Sequence, residues 1–200
     1  MNQDNELTSS GNLLPFDGLV HYHGPLMDLN SASRYMEALL KEISWEHDEL
    51  MMFGKRIVTK RKVAWYGSEP FSYTYSHTTK KALPWIPLLE ELKRRAELES
   101  GATFNSCLLN LYHSGAEGMG WHSDNEKELR KQGTIASMSF GAGRNFVFKH
   151  RETHEKISVF LEPGSLLVMK GTTQQHWLHR LPPSKRITEP RINLTFRTIA

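Results

Sequence analysis

From Phe104 to the C-terminus the chain is written in short strands, and this periodicity limits the fold more than any other feature. Apolar and β-branched runs fall at 104–113, 134–140, 145–150, 157–161, 165–170 and 191–198. Turn signals such as Gly141-Ala142-Gly143 and Glu162-Pro163-Gly164 separate them. Two helical patterns precede this array. Asn30 or Ser31 is positioned to cap a helix running to about Ile43, with Met36, Leu39, Leu40 and Ile43 on one stripe. The segment 84–99, PWIPLLEELKRRAELE, has prolines at its start, Leu89, Leu92 and Ala96 on a stripe, and Gly101 as its stop. Many short strands after two helices predict a mainly β protein with flanking helices, an antiparallel double sheet carrying its helices on one outer face.

The last strand, RINLTFRT, sorts its residues most clearly. Ile192, Leu194 and Phe196 form one face; Arg191, Asn193, Thr195 and Arg197 form the other. If the apolar face packs under the helices, two arginines and an asparagine point between the sheets. Buried arginines need anionic partners, and a guanidinium fork matches a carboxylate bidentately. The competing reading is an amphipathic strand with solvated arginines.

The segment from Cys107 to Glu126, CLLNLYHSGAEGMGWHSDNE, holds His122 and Asp124 at strand spacing, so both side chains reach one point. An imidazole and a carboxylate at one point are two thirds of a 2-His-1-carboxylate site, a ligand set suited to non-haem Fe(II). Asn110 and Tyr112 share the same spacing upstream, and Gly115, Gly118 and Gly120 read as a flexible connection. Downstream, GTTQQHWLHRLPP offers His176 and His179, either of which can complete the set.

Residues 54–67, GKRIVTKRKVAWYG, interleave Lys55, Arg56, Lys60, Arg61 and Lys62 with Trp65 and Tyr66, and Tyr73 and Tyr75 follow on one strand face. Cations for phosphates and rings for an unstacked base suit a nucleic acid. A lysine-protected edge strand accounts for the same pattern. A net charge of +3 permits an acidic partner without demanding one. Cys107 is the only cysteine, which excludes an intrachain disulfide and a cysteine-based zinc site. No apolar run approaches a membrane span, and the polar start MNQDNELTSSG has no secretory core. The expected organisation is a disordered tail at 1–11 and one domain over 12–200, monomeric, cytoplasmic (or nuclear in a eukaryote).

Taken together, NLYHSGAEGMGWHSDNE, IASMSFGAGRNFVFKHR, GSLLVMKGTTQQHWLH and PRINLTFR resemble the AlkB family of Fe(II)- and 2-oxoglutarate-dependent nucleic-acid dealkylases, most closely its animal DNA-repair branch. The resemblance covers about residues 54 to 198. It implies a double-stranded β-helix core of the jelly-roll or cupin-like kind. It implies Fe(II) held by His122, Asp124 and His179, with 2-oxoglutarate and O2 as cosubstrates. Asn110, Tyr112, Arg191 and Asn193 match cosubstrate positions, and Arg197 matches the partner of the distal carboxylate. Glu126 matches an acidic position near the target base. Tyr75 matches a stacking aromatic, and Arg61 sits in the basic loop of a substrate lid spanning 54–80. The implied reaction is oxidative demethylation of bases such as 1-methyladenine and 3-methylcytosine in DNA, or in RNA, with release of formaldehyde. Two other readings fit the residues: the same iron centre hydroxylating a protein or small molecule, and a nucleic-acid-binding module with a structural metal.

Overall fold

The structure is a computed structural model; it describes residues 11–52, 55–75 and 78–200, with backbone alone for 49–52, 55–57, 73–75 and 78–80. Of the expected tail, residues 1–10 lie outside the described residues. Strand β1 (Leu19–Pro25) leads into helix α1 (Leu29–Glu42), followed by β2 (Glu46–Met52), β3 (Lys55–Gly67), β4 (Ser72–Tyr75), β5 (Thr78–Lys81) and the short β6 (Leu83–Pro84). Helix α2 (Pro87–Ser100) precedes β7 (Ser106–Tyr112), β8 (Met119–His122), β9 (Ile135–Gly141), β10 (Arg144–His150), β11 (Lys156–Leu161) and β12 (Ser165–Lys170). One helical turn, α3 (Thr173–His176), then β13 (Trp177–Leu181) and β14 (Arg191–Arg197) complete the chain.

Among the described residues the strands form a large sheet, ordered β1-β12-β9-β14-β7-β3-β2 with β6 beside β3, a four-stranded sheet, ordered β11-β10-β13-β8, and the β4–β5 hairpin. Apart from the β3–β6 pair, the strand pairs are antiparallel. This is the expected mainly β, double-sheet jelly roll.

Alternation explains why the helices lie on one side only. Cys107, Leu109 and Leu111 of β7, Ala136, Met138 and Phe140 of β9, Leu166 and Val168 of β12, and Ile192, Leu194 and Phe196 of β14 share one core with Met36 and Leu39 of α1 and Leu89, Leu92 and Ala96 of α2. Each fully buried large side chain contributes about 1.5–3 kcal/mol, so this face fixes the register of the whole sheet. The opposite face looks toward the small sheet. There Ile135, Leu167 and Met169 pack on Phe148, Leu161 and Trp177 at one side, and the remainder is a buried polar strip.

Both helices start and stop for local reasons. The N-cap of α1 is Asp28, whose Oδ1 accepts from the Ser31 N–H at 2.8 Å, two residues ahead of the expected start. Three cap-forming residues crowd this point, and the cap falls on the aspartate. Helix α2 begins with Pro87 and ends at Gly101, in the left-handed conformation at φ 66°. No helix among the described residues is long and apolar enough to cross a membrane.

The basic stretch 54–67 is not an edge strand. Within the large sheet β3 lies between β2 and β7, pairing with Leu111 through Ser106 on one side and with β2 on the other. Of the glycines after β7, Gly115 and Gly118 are fixed by packing, while Gly120, within β8, has open space around it. A Cβ on Gly115 would lie 2.2 Å from the Ser184 carbonyl oxygen, and one on Gly118 would lie 2.4 Å from that of Leu181. These glycines are there because backbone passes against backbone.

Candidate metal centre

His122 is the last residue of β8, and β13 places His179 directly opposite it. Their rings meet edge to face at 4.3 Å between centroids. Asp124 lies two residues beyond, with Oδ1 4.0 Å from His122 Nε2. One ligand atom from each of the three lies within 4.8 Å of the other two.

The surroundings set each donor in a metal-binding state. His122 Nδ1 lies 2.8 Å from the Gly120 carbonyl oxygen, so Nδ1–H donates there and Nε2 keeps its lone pair for the shared point. His179 is buried beneath Phe146, whose ring stacks on it at 5.3 Å. Burial lowers its pKa to about 4, against the opposing pull of Asp124. The imidazole is therefore neutral at physiological pH, and its buried Nδ1 has no hydrogen-bond partner among the described residues. Asp124 is aimed by its backbone: its N–H donates to Gln174 Oε1 at 3.0 Å, and Gln174 Nε2 donates to Met169 Sδ at 3.3 Å. Two imidazoles and a carboxylate around one point fit a divalent transition metal.

The polar strip runs away from this point along β14 and its neighbours. Asn193 stands opposite Asn110 of β7 and Ser139 of β9, and Arg191 stands opposite Tyr112. Arg191 Nη2 donates to Ser139 Oγ at 2.9 Å and to Asn193 Oδ1 at 2.8 Å. Ser137 Oγ donates to the same Asn193 oxygen at 3.0 Å, and Asn193 Nδ2 donates to Thr195 Oγ1 at 3.0 Å. The Arg191 guanidinium lies 5.7 Å from the Tyr112 ring centre. It is buried, its Nε is unpartnered, and no carboxylate pairs with it among the described residues. Burial draws its pKa down to about 10.

Most of the site residues expected from the sequence are thus brought together on the inner faces, with two differences. Arg197 does not stand free for a cosubstrate; its Nη1 is 3.2 Å from Glu126 Oε1. Six strand positions, about 20 Å, separate it from Arg191, so the two arginines lie at opposite ends of the strip. Arg61 is not a loop cation. It lies within β3, buried, ion-paired to Asp48 and with Nη1 3.0 Å from Met119 Sδ. Strand alternation turns it inward while Lys60 stays exposed. Tyr75 ends β4, and its side chain lies outside the described residues.

The sequence left Gln174, Phe146 and Arg144 unmarked. Arg144 is buried and donates to the carbonyls of Gly115 at 3.3 Å, Glu117 at 2.9 Å and Pro182 at 2.9 Å, clamping the turn between β7 and β8 to the end of β13. The signal was an arginine opening a strand, which sequence alone does not distinguish from a surface cation. His176 falls outside the triad and joins a second cluster with Asp17 and His150.

A cleft of about 230 Å³ opens beside Asp124, walled by Glu126, Gln174 and Arg197 and edged by Lys127, Arg130 and Lys131.

Fold and triad define an iron-type oxygenase centre, and comparison agrees: residues 18–197 match the family described as the 2OG-Fe(II) oxygenase superfamily, to which the chain belongs. Its cofactor is Fe(II), with 2-oxoglutarate and O2 as cosubstrates. The chain is 38% identical over 194 residues to human DNA oxidative demethylase ALKBH2, covering 92% of this chain and 74% of that protein. It is 41% identical over 179 residues to the Bos taurus protein of that name, covering 84% of this chain and 64% of the relative. Human alpha-ketoglutarate-dependent dioxygenase alkB homolog 3 is 38% identical over 183 residues, covering 86% and 63%. These relatives place the chain in the AlkB family. It spans just under two thirds of the length of the bovine relative, at 64%. A solved structure described as "The structure of OsALKBH1" shares the fold at TM-score 0.60 and 16% identity, over 92% of this chain and 98% of that one.

Proposed function

We propose that the chain is an Fe(II)- and 2-oxoglutarate-dependent oxidative demethylase of N-alkylated nucleic-acid bases. Its substrates are bases such as 1-methyladenine and 3-methylcytosine, with DNA as the polymer and RNA the other candidate. The observation that carries this reading is the His122, Asp124 and His179 triad at one end of a buried polar strip whose other end is a carboxylate-seeking arginine with no acidic partner among the described residues. A dicarboxylate cosubstrate completes both ends at once.

His122, Asp124 and His179 would hold the iron on one face. The bound iron would couple oxidative decarboxylation of 2-oxoglutarate to hydroxylation of the N-methyl group, which then leaves as formaldehyde. Arg191 takes the distal carboxylate, which revises the expectation that Arg197 does so. The fork of Arg191 has donors to spare, and Tyr112 stands beside it. Asn110 and Asn193 line the path between that carboxylate and the metal. Arg197, tied to Glu126, instead orients the acid on the metal side. Gln174 holds the Asp124 backbone so that its carboxylate keeps one direction.

The substrate side rests on the cleft and on the names of the relatives. Glu126 and Asp124 give it an acidic wall for a positively charged methylated base, and Lys127, Arg130 and Lys131 give it a basic edge for phosphates. The target base must leave its stack to enter. Residues 54–80 act as the lid within a single domain over 12–200, Tyr75 supplies a stacking ring, and the enzyme works as a monomer where nucleic acid is, in the cytoplasm or nucleus.

The test is turnover with Fe(II), ascorbate and 2-oxoglutarate on methylated and unmethylated oligonucleotides. Succinate and formaldehyde should rise together, on methylated strands only. Succinate without formaldehyde on every oligonucleotide would turn the reading toward a protein or small-molecule hydroxylase. The absence of succinate would leave a binding module.

A further inference from the structure

Strand β8 carries an irregularity beside the triad. His122 stands opposite His179 and Met119 opposite Leu181, so two residues, Gly120 and Trp121, face the single residue Arg180. One extra residue on a strand is a β-bulge, which bends the strand and interrupts the ladder. Among the described residues β8 pairs with β13 alone, as the last strand of the four-stranded sheet. The strand that presents His122 thus has little backbone pairing to fix it.

The bulge decides which way His122 points. A regular ladder continued from Met119 and Leu181 would set Trp121 opposite His179 and His122 opposite Leu178. A slip of one residue turns each side chain to the other face of the sheet. In that register His122 would leave the point it shares with His179 and Asp124, and Trp121 would turn inward.

A stack of side chains on the outer face holds the bulged register. Arg180 Cζ lies 4.6 Å from the centre of the Trp121 indole. Lys149 Nζ, from β10, lies 4.8 Å from the same centre. Arg180 Nε is buried and has no hydrogen-bond partner among the described residues. The face of an indole is negative, and of the aromatic rings it attracts cations best, so it can hold two like charges. Inside the bulge, the Gly120 carbonyl lies 2.8 Å from His122 Nδ1. One residue further on, Arg151 Nη2 donates to Ser123 Oγ at 2.8 Å. Trp121 precedes His122, Ser123 follows it, and Arg180 follows His179.

We propose that Trp121 and Arg180 are positioning residues for the metal: their stack closes the bulge of β8 from outside and keeps His122 turned to the triad. The proposal rests on the reading of the triad as the metal centre. Neither residue touches the metal. Their contact exists in the bulged register and is lost in the regular one, so it favours the register that assembles the site. Lys149 adds a second cation to the ring, and Arg151 steadies the residue between the two ligands of this segment.

The experiment uses the full chain stripped of metal, with Co(II) as the probe, its dissociation constant read by titration beside melting of the metal-free protein. Trp121→Leu and Arg180→Gln should each weaken Co(II) binding about tenfold, the lower end of what outer partners of metal ligands contribute. The double variant should be no weaker than the weaker single one, because the two side chains form one contact. Arg180→Lys keeps a cation for the ring and should stay within about threefold of wild type. Trp121→Phe keeps a weaker ring, should fall between wild type and Trp121→Leu, and serves if the leucine variant folds poorly. Metal-free melting should stay near wild type throughout, and Asp124→Ala should lose Co(II). Wild-type affinity in Trp121→Leu and Arg180→Gln, with binding lost in Asp124→Ala, would overturn the proposal and leave the triad standing. Additive losses in the double variant would overturn it as well, as would losses of affinity that merely track a fall in metal-free stability. Unchanged Co(II) binding in Asp124→Ala would remove the triad reading itself.

Discussion

Arg191 offers the sharpest test, because its two surroundings make opposite demands. In the free protein it is a buried cation with two neutral acceptors, Ser139 and Asn193, and burial has already drawn its pKa down to about 10. With a dicarboxylate bound it gains the anion it lacks. Arg191→Lys keeps the charge but loses the planar fork. Losing one charge-assisted hydrogen bond costs about 1.5–3 kcal/mol, and about 1.4 kcal/mol is tenfold in affinity, so the apparent KM for 2-oxoglutarate should rise about tenfold or more. Arg191→Met removes the buried charge as well. Relief of desolvation is worth about 1–4 kcal/mol, and the Ser139 and Asn193 groups left unpartnered cost about 1–3 kcal/mol. In the absence of cosubstrate, Arg191→Met should therefore unfold within about 2 kcal/mol of wild type. Saturating 2-oxoglutarate with a bound divalent metal should raise the melting temperature of wild type and leave that of Arg191→Met nearly unmoved. The assays are succinate formation against 2-oxoglutarate concentration, thermal melting with and without cosubstrate, and oligonucleotide affinity. An unchanged KM for 2-oxoglutarate in both variants, with oligonucleotide binding lost, would place Arg191 on the substrate side and refute the assignment.

Three further outcomes follow from other parts of the site. Arg61→Ala should lower stability by about 3 kcal/mol, because it strips a buried partner from Asp48, and should leave the salt dependence of oligonucleotide binding unchanged; denaturant unfolding and a salt titration separate the two effects. Glu126→Gln should reduce the preference for cationic methylated bases over neutral ones while the KM for 2-oxoglutarate stays near wild type, measured by competition between oligonucleotides. For His179 the folded pKa, about 4, lies below the ordinary value of 6.5, so the unfolded chain binds the extra proton first. Its contribution to stability is complete above about pH 6.5 and is lost as pH falls toward 4; melting of the metal-free protein across that range should show the fall, and a flat profile would contradict the burial of the ring.

Alternation made the large sheet readable from sequence alone. The separation of Ile192, Leu194 and Phe196 from Arg191, Asn193 and Arg197 is a property of spacing, and the sheet obeys it because its helices cover one face only. His122 and Asp124 were legible from their i, i+2 spacing, although β8 ends at His122 and Asp124 lies beyond the strand. Strands β8 and β13 were harder. Met119–His122 is short and lies among glycines, and Trp177–Leu181 follows a single helical turn, so neither shows a clear period. Their pairing, which sets His179 against His122, is a long-range fact that local propensity cannot carry. Arg61 was misplaced because a run of five cations suggests a solvated loop. The identity of Asp48 as its partner depends on the β2–β3 register, which spacing does not reveal.

Under the proposed function, the placement of the two arginines on β14 would let one strand serve two ligands without confusing them. Both belong to the same face, yet among the described residues only Arg197 has an acid of the protein beside it. An arginine already paired with Glu126 offers little extra attraction to a free dicarboxylate, whereas the unpaired Arg191 attracts it strongly. In the proposed enzyme the cosubstrate would be drawn to the Tyr112 end of the strip, with its reacting end toward the triad. On the metal side the Glu126–Arg197 pair leaves the acid half exposed to the cleft, where a positively charged base can share its charge. A neutral base gains nothing from that exchange and still loses its stacking on leaving the helix. In the proposed demethylase, discrimination for the damaged base would rest on charge, and selection of the cosubstrate on which of two identical side chains has no acidic partner among the described residues.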